Sequence, residues 1–234
     1  MTSPLCYCCS APATSREHVP PRCLFPVAAD AIDATDYRLQ LITVPSCDLH
    51  NAAKSHDDEY LLCVIALGIL GNPIGQQQAV TKVLRALSQS PGLTKAVLGT
   101  AQQVTVQDIT TGIAQPTLAF KVTMSRVEAA LEHIARGLHF HHFGEKWSGP
   151  VQVAAEFLVS LGSPNAEQIN NQLESARKTA DAHFRNVPRH GRNQSVFYYQ
   201  IIEEPPLRGI RMCFYEGTKA MAVFEAAPTE QNDA

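Results

Sequence analysis

The sequence has no surplus of positive charge: its 234 residues carry 19 Lys and Arg against 22 Asp and Glu, a formal net charge of -3. Basic side chains that neutralise phosphates supply most non-specific affinity for nucleic acid. A protein that coats DNA through bulk charge is therefore excluded. Long apolar runs are missing too. The strongest one, over 61–70, falls well short of the ~20 residues that cross a bilayer, and the N-terminus lacks a basic region followed by an apolar one. The expectation is a cytoplasmic protein with no membrane partner. There is no Gly-rich phosphate loop, no serine-nucleophile motif, no internal repeat and no low-complexity tract. Seven cysteines, an odd count, suit a disulfide framework poorly. They suit thiolate metal binding in a reducing compartment.

The residue types that do site chemistry are concentrated between Cys6 and Glu59. Cys6 with Cys9, and Cys47 with His50, are two pairs at metal-ligand spacing separated by a long loop. Three thiolates and one imidazole form a soft set suited to tetrahedral zinc, and four protein ligands leave no open coordination position. Such an ion is structural. Cys8 lies inside the first turn and could replace either neighbour, so spacing leaves the ligand choice open there. Glu17 and His18 lie between the two pairs, while Asn51 and Lys54 come after the second. Over residues 1–60 four basic side chains face eight acidic ones, so phosphate contacts are expected from elsewhere in the chain or from bound metal ions.

Local patterns outline the rest. The 17–21 stretch, with its two prolines, reads as extended, and 39–44 as the second strand of a hairpin. A nearly all-apolar helix is expected over 57–70, charged at its start by Asp57 and Asp58 and stopped at 71–73. It is buried on most sides and plugs the first module into the larger downstream domain. A second helix is expected over 76–88, broken by Pro91 and Gly92, then strands over 103–109 and 117–123. Ser125 and Glu128 have the capping-box spacing and open a helix with Val127, Leu131, Ile134 and Leu138 on one face. Another helix runs over 164–183, succeeded by an antiparallel meander of 195–202, 210–215 and 220–224. The expected organisation is a module at 1–59, an α+β domain at 60–226 and a disordered tail at 227–234. His139, His141 and His142 could bind a metal, but the dipole at a helix C-terminus alone favours them. Arg177, Lys178, Arg185, Arg189 and Arg192 concentrate positive charge and are candidates for gripping phosphates, as is Lys54.

The pattern from Cys6 to Lys54 resembles the HNH endonucleases, the zinc-stapled ββα-metal class. The resemblance implies an α+β protein in which an N-terminal zinc-bound ββα-metal module precedes a helical and antiparallel β domain. It implies His18 as general base, Glu17 and Asn51 as ligands of a catalytic Mg²⁺ or Mn²⁺, and hydrolysis of nucleic-acid phosphodiester bonds, with DNA the expected substrate. Two positions depart from the pattern. His50 stands where a cysteine is commoner, and Ile42 stands where the family has its middle Asn. A backbone carbonyl, Gln40 or Thr43 would then have to orient His18, and His56 is a weak substitute imidazole. The alternative from another class is a non-catalytic zinc-binding protein that binds nucleic acid or acts as a scaffold.

Overall fold

A computed structural model describes residues 4–52, 55–107, 112–204 and 207–225. Strands β1 (Ser15–His18) and β2 (Thr43–Ser46) pair antiparallel, with Ser15 opposite Ser46 and His18 opposite Thr43. The amide of Tyr7 donates to the Pro45 carbonyl at 2.9 Å, which lays the cysteine turn along β2. Helices α1 (Asp48–Ala52) and α2 (Ser55–Ala66) come at once after it. Every residue from Tyr60 to Ala66 is buried, as an apolar surface without a polar face requires. The helix is shorter than the expected 57–70, ending at Ala66.

Three short helices come next: α3 (Pro73–Gln78), which passes through a π-helical stretch (Ala79–Val83) into α4 (Leu84–Gln89), and α5 (Pro91–Leu98). Pro91 and Gly92, expected as a break alone, open a new helix. Ser90 caps it through its hydroxyl, which accepts from the Leu93 amide at 3.3 Å, and Pro91 occupies a first-turn position where no amide is needed. Strands β3 (Gln102–Gln107) and β4 (Ala114–Ala119) form a separate hairpin. Helix α6 (Met124–Phe143), strand β5 (Val151–Ala155), helix α7 (Ala166–Phe184) and strands β6 (Phe197–Glu204), β7 (Leu207–Phe214) and β8 (Thr218–Phe224) complete the order. The expected three-stranded meander is present, and β5 extends it to four strands in the order β5-β8-β7-β6. The protein is thus α+β, mixing helices with antiparallel sheet. No helix among the described residues is long and apolar enough to cross a membrane. The tail after 225 lies outside the described residues.

The capping box at Ser125 does not form. Helix α6 begins one residue earlier, at Met124, and its N-cap Thr123 makes no side-chain cap. The Thr123 amide instead donates to the Tyr60 hydroxyl of α2 at 2.8 Å. A tertiary contact has set the helix start. The stripe of Val127, Leu131, Ile134 and Leu138 is fully buried, and each such side chain contributes roughly 1.5–3 kcal/mol. One continuous core takes in Cys6, Tyr7, Val19 and Val44 of the N-terminal hairpin region together with α2, α6 and the sheet. The hairpin meets α6 closely: a Cβ built on Gly137 would stand 2.6 Å from Val19 Cγ2.

At the far end of α6, His139 is fully buried, unlike its exposed neighbours His141 and His142. Its Nδ1 faces the Glu145 carbonyl at 3.1 Å, and its Nε2 accepts from Arg208 Nη1 at 2.8 Å. Only a neutral ring can satisfy both partners. Burial, with the Arg208 charge adding to it, holds its pKa below the ordinary histidine value. The unfolded chain takes up that proton near ~6.5, so the stability from the neutral ring is present above this pH and lost as pH falls through it. The urea midpoint is expected to fall between about pH 7.5 and about pH 5.5, and His139→Gln to flatten the slope. His18, His141 and His190 are lowered as well and contribute with the same sign. An unchanged slope in the variant would assign the effect to those three.

Candidate metal centre and hairpin site

The cysteine turn carries Cys6 and Cys9, while the junction of β2 and α1 carries Cys47 and His50. Antiparallel pairing of β1 with β2 folds the two ligand pairs onto each other. One ligand atom from each of the four lies within 4.8 Å of the others. Cys47 Sγ is 3.2 Å and Cys6 Sγ 3.7 Å from His50 Nδ1, and Cys9 Sγ is 3.7 Å from Cys47 Sγ. The amides of Cys8 and Ala11 point at the sulfurs of Cys6 and Cys9, at 3.5 and 3.4 Å. Burial raises the Cys6 thiol, but the amides of Cys8, Cys47 and Cys9 outweigh it, and the net pKa is lowered. The donor set and spacing fit a tetrahedral ion, so this group could hold a metal such as zinc.

The same geometry distinguishes the cysteines of the first turn. Cys8 belongs to a second group, with His50 and with His133 of α6, so that His50 is shared between the two. The His50 and His133 rings lie 6.1 Å apart. Sequence spacing carries no signal for His133, which α6 delivers from far along the chain.

Around this frame, β1 alternates. Ser15 and Glu17 face inward, and Arg16 and His18 face out. Asn51 Nδ2 donates to Ser15 Oγ at 2.8 Å, placing Asn51 on the Glu17 side of the hairpin. Glu17 is 5% exposed, and its Oε2 is approached by the hydroxyls of Tyr7 at 3.4 Å and Ser46 at 3.5 Å. His18 is half-buried. Burial, then the charges of Arg22 and Arg38, lower its pKa and keep the imidazole neutral at neutral pH. Among the described residues none hydrogen-bonds its ring. Thr43, a candidate for that role, instead binds Arg16, whose Nε donates to Thr43 Oγ1 at 2.9 Å and whose Nη2 donates to the Thr43 carbonyl at 3.0 Å. The Ile42 carbonyl is used by the Val19 amide at 3.0 Å. His56 is exposed, and its carbonyl accepts from Arg126. Lys54 lies outside the described residues.

The acidic balance of the first 60 residues misjudges the surroundings of His18. Asp30 pairs with Arg85, Asp57 with Arg126, Asp48 accepts from Thr14, and Asp33 accepts from Tyr37. The carboxylates are spent on other contacts, while Arg22 and Arg38 bear on His18. The expected basic cluster of the C-terminal half is divided. Arg177 donates to the carbonyls of Glu156 and Leu158, Lys178 pairs with Glu174, and Arg189 lies over the Tyr198 ring at 4.5 Å. Arg185 is exposed at the end of α7. Arg192 alone of the five lines a groove against the hairpin. His141, His142 and His190 approach one another, but they form no metal-ligating group among the described residues. No family model, curated protein or solved structure matches the chain.

Proposed function

We propose that this protein is a metal-dependent endonuclease of the HNH kind, hydrolysing phosphodiester bonds of nucleic acid, with DNA as substrate. The observation that carries the proposal is the spatial order around the Cys6, Cys9, Cys47 and His50 group: a Glu-His pair ends β1, and Asn51, directly after the last of the four, reaches back to β1 through Ser15. The Glu17 carboxylate and the Asn51 amide oxygen are hard donors of the type Mg²⁺ and Mn²⁺ take, with water and substrate oxygens filling the remaining positions. Such an ion would supply Lewis acidity at the phosphate and stabilise charge on the departing oxygen. His18 takes a proton from the attacking water, a role that needs a neutral ring. Burial, with the charges of Arg22 and Arg38 adding to it, lowers the His18 pKa, and the two guanidinium groups favour an approaching phosphate.

A second reading has observations of its own. Glu17 is almost closed to solvent, and His18, on the outward face of β1, has no side chain among the described residues to orient it where Ile42 replaces the family's Asn. Both favour a zinc-stapled protein that binds nucleic acid or acts as a scaffold without cleaving it. Supercoiled plasmid separates the two. The zinc-loaded protein is expected to nick it only with added Mg²⁺ or Mn²⁺. Zinc retention without nicking in either ion would reject catalysis and leave the binding role.

A further inference from the structure

A groove of about 550 Å³ lies between the hairpin and the C-terminal sheet, and Arg16, Thr43, His141, His190 and Arg192 are among the residues lining it. We infer that this groove binds the phosphodiester backbone of a nucleic-acid strand and leads it to His18, a substrate-binding site that rests on the nuclease reading above.

Three observations carry the inference. The first is position. Thr43, which lines the groove, is the strand partner of His18, so the groove opens beside the end of β1. A strand lying in the groove therefore passes the end of β1. The second is charge. The groove presents two guanidinium groups and two imidazoles, and no carboxylate lines it. Arg16 is held flat along β2 by its two bonds to Thr43, whereas exposed Arg192 has no ion pair among the described residues. A guanidinium without a protein carboxylate, facing a cleft, is the donor a phosphate oxygen requires.

The third is rigidity. Gly191 adopts φ +122°, and a Cβ there would stand 2.9 Å from the Phe197 carbonyl oxygen. Only glycine lets the loop press onto β6 and present His190 and Arg192 from either side of it. Asn193 Nδ2 donates to the carbonyls of Tyr37 at 2.7 Å and Leu39 at 3.3 Å, clipping the same loop to the segment that leads into β2. The His190 ring lies on Tyr199, with centroids 5.2 Å apart and planes 30° apart. Both walls are thus fixed before a ligand arrives, which lowers the cost of ordering them on binding.

The test uses the full zinc-loaded chain without added Mg²⁺ or Mn²⁺, so that binding is read apart from cleavage, and a fluorescent oligonucleotide titrated over a range of NaCl. Arg192→Glu is expected to weaken binding about tenfold or more and to reduce the slope of log affinity against log salt by about one, the signature of one lost phosphate contact. Arg192→Lys is expected to restore most of the affinity. Lys95→Glu, at an exposed position on the separate helix α5, serves as the charge control and is expected to stay within about twofold of the parent. Inorganic phosphate and pyrophosphate form the second arm. If they bind as tightly as the oligonucleotide, the groove serves free phosphates and the inference is overturned. Equal oligonucleotide affinity in Arg192→Glu and the parent also overturns it, even if plasmid nicking is intact. Groove-dependent binding without nicking would instead remove the nuclease activity and leave the groove assigned.

Discussion

His18→Ala is expected to lower Mg²⁺-dependent plasmid nicking by about 10²–10⁴-fold, the range a positioned general base contributes, with zinc content and melting temperature unchanged. The separation of the two readouts has a structural origin. His18 is outside the Cys6, Cys9, Cys47 and His50 group. It is half-buried and no described residue hydrogen-bonds its ring, so its removal orphans no polar partner among them. A structural histidine in that place would give the opposite pattern, with lost stability and little change in any activity. Nicking by His18→Ala at the parental rate would sink the assignment of the base.

Cys47→Ser is expected to abolish stoichiometric zinc binding and to release the hairpin. Cys47 is buried where β2 passes into α1, and its sulfur is 3.7 Å from Cys9 Sγ and 3.2 Å from His50 Nδ1. Structural zinc in small peptides is worth about 10–16 kcal/mol of apparent binding free energy, which becomes folding free energy where the ligands do not otherwise converge. The loss here should be local. Helix α2, helix α6 and the four-stranded sheet bury their own apolar surface, whereas β1 and β2 form a two-stranded hairpin of four residues each, a unit that is marginal alone. Hydrogen exchange should show fast exchange over 4–52 in the variant, with protection kept in α6, β7 and β8. Unchanged protection of β1 and β2 after confirmed metal loss would show that Tyr7, Val19 and Val44 hold the hairpin without an ion.

The parts of this molecule that can be read from the chain are those decided within a few residues. Each ligand pair is fixed by one turn of backbone, so Cys6 with Cys9 and Cys47 with His50 are visible as spacings. The apolar helix and the meander likewise declare themselves by unbroken or alternating apolar residues. Choices made by distant partners are not visible. Cys8 groups with His50 and with His133, which comes from far along the chain, and the start of α6 is set by the Tyr60 hydroxyl, not by Ser125. Strand β5 gains its identity by joining β8 at a sheet edge. Summed charge is the least informative guide to the surroundings of His18. Asp30 and Asp57 are neutralised by arginines far along the chain, Arg85 and Arg126, while the basic residues near His18 keep their field.

The place where α6 passes Val19 ties two distant positions to a common fate. Helix α6 spares no room for a side chain at Gly137, and Val19 is the residue directly after His18. In the course of divergence the two positions can change only as a couple. A lineage that gains a methyl group at 137 has to shed bulk at 19, or else push the end of β1, and His18 with it, out of line. The helix interior, far from the chemistry in sequence, thereby constrains which variants of the β1 corner can be inherited.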